Sequence, residues 1–299
     1  MYQVEAKLQL KGIFHRDIDR IYILIFNEAC MVTKKEINDY ISKVPPAPKA
    51  LKETLRLLNS GELVQASKVA QTDLALTSYL KELINKPIYG FKNEVSDISQ
   101  IFGILGVSSS QQTVYNYMAS LLSPDKWELF DLNARKFHEL QARLSKKWEI
   151  ILEHLNIKDK NITSAITLLP ASIIVSEALF SQKVEDVKLL RSNAFLDYNT
   201  ILIRLCGIGL FDICEQISVK WEMPQEISQI IKASSGVEPS SDKKLDTLAK
   251  WMHLLLFYEL SQPIFVQAGL NDFIDFQIDY VNDIYEEFAS LIMKEEKSR

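Results

Sequence analysis

At 299 residues, with 47% apolar and 24% charged side chains, the chain has the balance of a globular protein with material for one large core or two smaller ones, which excludes extensive disorder. Its net charge of −5 argues against a dedicated nucleic-acid binder, which needs a basic surface to displace counterions from phosphate. Nine glycines, set against many Leu, Ile, Lys, Glu and Ala, favour helix over turn-rich β structure.

The cysteines Cys30, Cys206 and Cys214 have no CxxC spacing and leave an odd one if paired, so they read as reduced thiols of a cytoplasmic protein. The opening "MYQVEAKLQLKG" carries charge in each turn and lacks the apolar core of a signal peptide. The nearest approach to a membrane span, "AITLLPASIIVSEALF" (165–180), is shorter than the roughly 18 residues required and is interrupted by Pro170 and Glu177. It reads as a buried core helix.

In chain order, "YQVEAKLQL" (2–10) alternates apolar and polar residues with the period of a half-buried strand, and "IYILIF" (21–26) is its candidate hairpin partner. Residues 1–32 are thus an N-terminal extension. From Thr33 the signals are helical: Thr33 and Glu36 form a capping-box pattern, and "VPPAP" (44–48) marks a rigid break. Short helices are expected over 47–59, 62–72, 74–85, 97–105 and 108–122, stopped and restarted by "NKPIYGF" and "GVSSS". Ser123-Pro124 is expected to open a long amphipathic segment reaching residue 155, and a boundary between two compact lobes would fall near residue 123. Further helices are expected over 162–180, 183–193, 197–221, 224–235, 242–262 and 271–295. The fold class is all-α, with a main helical domain over 33–262 and a C-terminal helix in 263–299 packed upon it. No internal repeat is visible.

Signatures of chemistry are sparse. His138-Glu139 begins like HExxH, but position 142 is Ala, and none of the histidines His15, His138, His154 and His253 is followed by Asp. Gly207-Ile208-Gly209 lacks the third glycine and the preceding strand of a dinucleotide loop. No GxSxG or P-loop occurs. Cys206 and Cys214 read as core residues, His253 in "WMHLLLFYEL" as a satisfied core histidine, and His154 as a residue near a helix end. Trp148 and Trp221 read as core anchors.

The segments "VPPAPKALKETLRLL" and "ASKVAQTDLALTSYLKELINKPIYGFKNEVSDISQIFGILG" together resemble the HDOD family, helical relatives of the HD-domain phosphohydrolases common in bacterial signalling. The resemblance is carried by Pro45 to Pro48, Asp73 to Leu76, Asn85 with Tyr89-Gly90, and Ile104-Leu105-Gly106. It continues through "FHELQARLSKKW", "AITLLPAS" and "VKWEMPQEISQIIKASSG", with Trp221 and Pro224, to residue 262. Leu74 after the Asp and Lys86 after the Asn depart from the family pattern. The resemblance implies a compact HDOD/HD-like bundle. It also implies that a His-Asp pair of the catalytic relatives falls near Leu169, Pro170 and Ala171, and that a His-His pair of many relatives falls at Ser234 and Ser235. His138 stands where a first ligand histidine would be. Prolyl and alanyl side chains offer no donor and a hydroxyl is a weak ligand, so the slots are degenerate and no metal or cofactor is expected.

Ile274, Ile278, Val281, Tyr285, Phe288 and Ile292 follow four-three spacing, with six acidic residues and no Lys or Arg between 271 and 293. A helix docked on its own core explains that seam, and a dimerising or partner-binding helix is the alternative. Arg135, Lys136, Arg143, Lys146 and Lys147 form a basic cluster that a solvated helix face explains. The expectation is a non-catalytic regulator of cytoplasmic signalling that binds a protein partner and has scope for a small signalling ligand. It binds no nucleic acid, has no membrane span, and leaves homodimerisation open. The alternatives are a divergent metal-dependent nucleotide phosphohydrolase and a structural oligomer assembled through the C-terminal helix.

Overall fold

The structure, a computed structural model, describes residues 32–86, 90–194 and 196–293. The expected N-terminal strand and hairpin, and Tyr89, lie outside the described residues. Within them the chain is helical, with no strand.

The first helices start where their caps say they should. Thr33 and Glu36 close a reciprocal capping box at the head of α1 (Lys34–Lys43), satisfying two backbone donors that the first turn leaves free. The prolines of 45–48 then fix an extended link into α2 (Lys49–Asn59), whose apolar face is Leu51, Leu55 and Leu58. Two short helices follow, α3 (Leu63–Ala70) and α4 (Leu74–Ile84). All three pack against α5 (Ile98–Ser120), which breaks at Gly106, where φ is 72° and ψ is 177°. The expected division near that point is therefore present as a kink between two helical halves.

The second half of α5 is the centre of the fold. Every residue from Ser110 to Ala119 is buried, and some of the polar side chains there bond across the core. Gln112 donates to the Thr163 carbonyl at 3.1 Å, and Asn116 to the Ser145 hydroxyl at 3.1 Å.

The long segment after Pro124 departs from expectation. No helix begins at Pro124. Helix α6 (Ala134–His154) starts ten residues later, where the Asn133 side chain accepts the Lys136 N–H. The intervening turn is held by Glu177, whose buried carboxylate accepts the N–H groups of Glu128 (2.6 Å), Leu129 (3.1 Å) and Phe130 (3.3 Å). That acceptor replaces the hydrogen bonds a helix would have supplied.

The stretch 162–180 is likewise interrupted. It comprises a short helix α7 (Lys160–Thr163), a 3₁₀ turn (Ala165–Leu168) and α8 (Ala171–Phe180), which starts after Pro170. Residues Asn161–Ser192 contain a window long and apolar enough to cross a membrane by length and composition, where the sequence reading expected none. In the fold 94% of that window is buried. Next come α9 (Val184–Ala194), α10 (Tyr198–Cys206) and α11 (Leu210–Lys220). The single helix expected over 197–221 is two, because Gly207 adopts the left-handed conformation (φ 67°) that ends α10.

Helix α12 (Gln225–Ala233) packs between α11 and α13 (Lys243–Leu260), and α13 in turn lies against α6. The expected C-terminal helix over 271–295 is also corrected. After α14 (Pro263–Gln267) the chain runs through α15 (Ile278–Val281) and α16 (Tyr285–Phe288) into one π turn (Ala289–Met293). These pieces form a strap across α13. Of the proposed seam, Ile274, Val281, Phe288 and Ile292 are buried, whereas Ile278 and Tyr285 are exposed.

Candidate functional site: the end of helix α12

Helix α12 directs Ile227, Ile230 and Ile231 into the core, which leaves its C-terminal turn to close against α13 and the strap. Ser234 is the C-cap and is buried. Its N–H donates to the Ile230 carbonyl (2.9 Å) and its hydroxyl to the Ile231 carbonyl (2.7 Å). Ser235 accepts the Val237 N–H at 3.2 Å. Both serine hydroxyls therefore serve to end a helix. At Gly236 (φ 74°) a Cβ would stand 2.8 Å from Gln277 Cγ, so glycine is required both by the backbone and by the strap above it.

The carbonyl of Ser234 is taken by His253, the buried histidine of α13. His253 Nδ1 lies 2.9 Å from that carbonyl, and the Gln277 N–H points at Nε2 from 3.2 Å. A carbonyl on one side and an N–H on the other require the neutral tautomer with its proton on Nδ1. Burial holds this imidazole below its ordinary value, against the opposing pull of the Ser234 carbonyl and Asp275. Phe276 stacks on the ring at 5.9 Å, and Tyr280 meets it edge-on at 6.1 Å. The reading of His253 as a satisfied core histidine holds.

Beside this junction lies a cleft of about 420 Å³ lined by residues that include Gly236, Pro239, Asp246, Lys250, Gln277 and Tyr280. Asp246 accepts the Tyr280 hydroxyl and the Ser240 N–H, each at 3.1 Å, and Lys250 pairs with Asp283 at 2.7 Å.

The slot at Leu169 to Ala171 follows the 3₁₀ turn Ala165–Leu168, which packs against both α6 and α12. Pro170 precedes α8 with its carbonyl accepting the Ile173 N–H, and Ala171 is wholly buried. His138, on α6, meets Tyr79 edge-on at 5.4 Å and Phe137 at 6.4 Å. Burial and then Lys86 lower its pKa, with Glu82 opposing. Tyr79 and Glu82 belong to α4 and Phe137 to α6. Among the described residues no three His, Cys, Asp or Glu side chains converge closely enough to hold a metal ion. The donor set around Ser234, two hydroxyls and a backbone carbonyl already hydrogen-bonded, does not fit the catalytic ion of the HD relatives.

The described family-motif residues make contacts that hold the fold. Asp73 caps α4 through the Leu76 N–H at 2.9 Å. Asn85 staples a loop: its amide donates to the carbonyls of Val95 (2.9 Å) and Lys81 (2.8 Å) and accepts the Val95 N–H (2.8 Å). Trp221 donates to the Pro45 carbonyl at 3.1 Å. Pro45 and Pro48 line a void of about 10 Å³ with Met118, Leu121 and Trp221, room for one water at most. Pro48 and Pro224 precede α2 and α12, Gly90 has φ 68°, and Gly106 kinks α5. Trp148, like Trp221, is a buried anchor, donating to the Ile162 carbonyl at 3.1 Å.

One charged centre went unnoticed in the sequence. Glu259 is wholly buried; it accepts Arg143 Nε at 2.6 Å and also pairs with Lys147. Two members of the basic cluster on α6 are therefore committed to a buried carboxylate on α13 rather than to solvent. The signal was available: Met252, Leu255, Leu256 and Glu259 share one apolar helical face, where a carboxylate needs a partner.

A model of the HDOD domain family matches residues 44–237. Among solved structures, the chain is similar to an HDOD domain protein of unknown function from Geobacter sulfurreducens, at 13% identity and a TM-score of 0.58, covering 86% of this chain and 95% of that one. It is also similar to a protein named as a candidate phosphohydrolase from Shewanella amazonensis, at 16% identity and a TM-score of 0.56, covering 86% and 96%. No curated protein matches the chain.

Proposed function

The chain belongs to the HDOD domain family, and from that premise we propose that it is a non-catalytic regulatory scaffold of cytoplasmic signalling, acting through a protein partner. The observation that supports this most is the end of α12. Metal-assisted phosphodiester hydrolysis needs several His or carboxylate side chains converging on an ion that activates water and clamps phosphate oxygens. Here the corresponding turn ends in two serines, the hydroxyl of the buried one donates to its own helix, and the nearest imidazole is occupied at both nitrogens. The packing of a metal-site helix is kept while its side chains serve helix termination. In this reading the cleft beside Gly236 is the place for any small signalling ligand.

Thermal unfolding of the untagged protein with and without Mn²⁺, Fe²⁺, Zn²⁺ or Mg²⁺ tests the proposal. A site that binds the folded state stabilises it by about 2.7 kcal/mol at a ligand concentration of 100 Kd. The expected result is a Tm unchanged by each ion. A saturable rise of several degrees with one of them, accompanied by hydrolysis of a nucleotide or phosphodiester, overturns it.

A further inference from the structure

The strap of residues 271–293 is fastened at intervals. Arg191 donates to the carbonyls of Asn271 (2.8 Å) and Asp272 (3.0 Å), Asp283 pairs with Lys250, and Glu287 lies 2.6 Å from His154. Phe288 is buried beside Trp251 and Tyr258. Between these anchors, residues 275–280 expose Asp275, Ile278 and Asp279 to solvent and are held from beneath at His253. A single imidazole thus joins three elements: α13, which carries it, α12 through the Ser234 carbonyl, and the strap through the Gln277 N–H.

We propose that His253 is a latch: as the neutral imidazole it pins residues 275–280 against the end of α12, and on taking a proton it releases them and widens the cleft beside Gly236. The proton would go to Nε2, the nitrogen that accepts from Gln277, turning the acceptor into a second donor facing an N–H. Nδ1 keeps its bond to Ser234. The charged groups around the ring are Asp275 on the strap, and Asp246 and Lys250 on α13, which reach it through Tyr280. The more distant anchors at Asp283, Glu287 and the buried Phe288 make no contact with His253, so the release is local to 275–280.

The direction follows from burial. Within the latched structure the imidazole binds its proton less readily than the ordinary value of 6.5. The lifted segment exposes the ring and lets it titrate normally, so the latch is fully formed above that value and weakens as the pH falls below it. The inference rests on this geometry and is independent of whether the protein is catalytic.

Hydrogen exchange of the full chain between pH 7.5 and 5, corrected for intrinsic rates, tests it. Protection of 275–280 should fall by up to about tenfold per pH unit below the ordinary histidine value, while peptides from 248–256 and 284–292 hold theirs. His253→Asn should make exchange of 275–280 independent of pH. Gln277→Pro removes the same N–H at a backbone φ of −88°, together with the side chain that donates to Asp275 at 3.2 Å. It should leave Ile278 and Tyr280 weakly protected at every pH. If 275–280 in the unaltered protein follows 248–256 at every pH, or if either folded variant keeps the full pH dependence, the latch is refuted.

Discussion

The end of α12 and the seam between α6 and α13 both bury polar atoms, by opposite means. At the seam the chain buries a full negative charge, Glu259, and answers it with two cations on the neighbouring helix. At the end of α12, where catalytic relatives are expected to hold ligands, every buried polar atom named is neutral and bonded within the fold. Carboxylate chemistry in this interior is therefore used to hold helices together, and the turn at Ser234 is used to seat a strap.

Removing the charge at the seam should break this contrast most visibly. Glu259→Ala removes the buried carboxylate that Arg143 and Lys147 share, and should cost about 3 kcal/mol, read as a lowered midpoint in urea. The loss should be smaller when Arg143 and Lys147 are also replaced by Met, because the partly buried cations are removed with the carboxylate. Next in size is Glu177→Ala, which strands the N–H groups of 128–130 and should cost about 2 kcal/mol by the same measurement.

Asn85→Ala should cost about 1 kcal/mol and raise hydrogen exchange around Val95, since Asn85 staples its loop to both backbone groups of that residue. At the other extreme, Ser234→Ala with Ser235→Ala should change stability by less than about 1 kcal/mol, because each hydroxyl makes one local bond to its own turn. A loss as large as that of Glu259→Ala would erase the distinction between the two regions.

The sequence made the helical class and much of the element order legible. The capping box at Thr33, the short helices α2 to α4 and the division at Gly106 were readable because caps, prolines and glycines act locally. What was not legible depended on distant partners. Pro124 failed to start a helix because Glu177, almost fifty positions away, supplies the acceptor for the turn that follows. The strap kept its apolar spacing but not its helix, with positive φ at Gly269 (85°) and Asp272 (52°) and a surface on α13 to follow. Within the candidate site, the serines and His253 were visible as residues. Their arrangement was not, because the ring's partners are backbone groups of Ser234 and Gln277, which leave no mark in the pattern of side chains. Glu259 was the one omission that helical periodicity alone would have repaired.

The central claim is that the turn at Ser234 has kept the packing of a metal site without its ligands. The most direct measurement is the metal content of the untagged protein, purified without chelator, by elemental mass spectrometry. The account predicts well below one equivalent of iron, manganese or zinc per chain. One or two equivalents, retained through gel filtration, would contradict it.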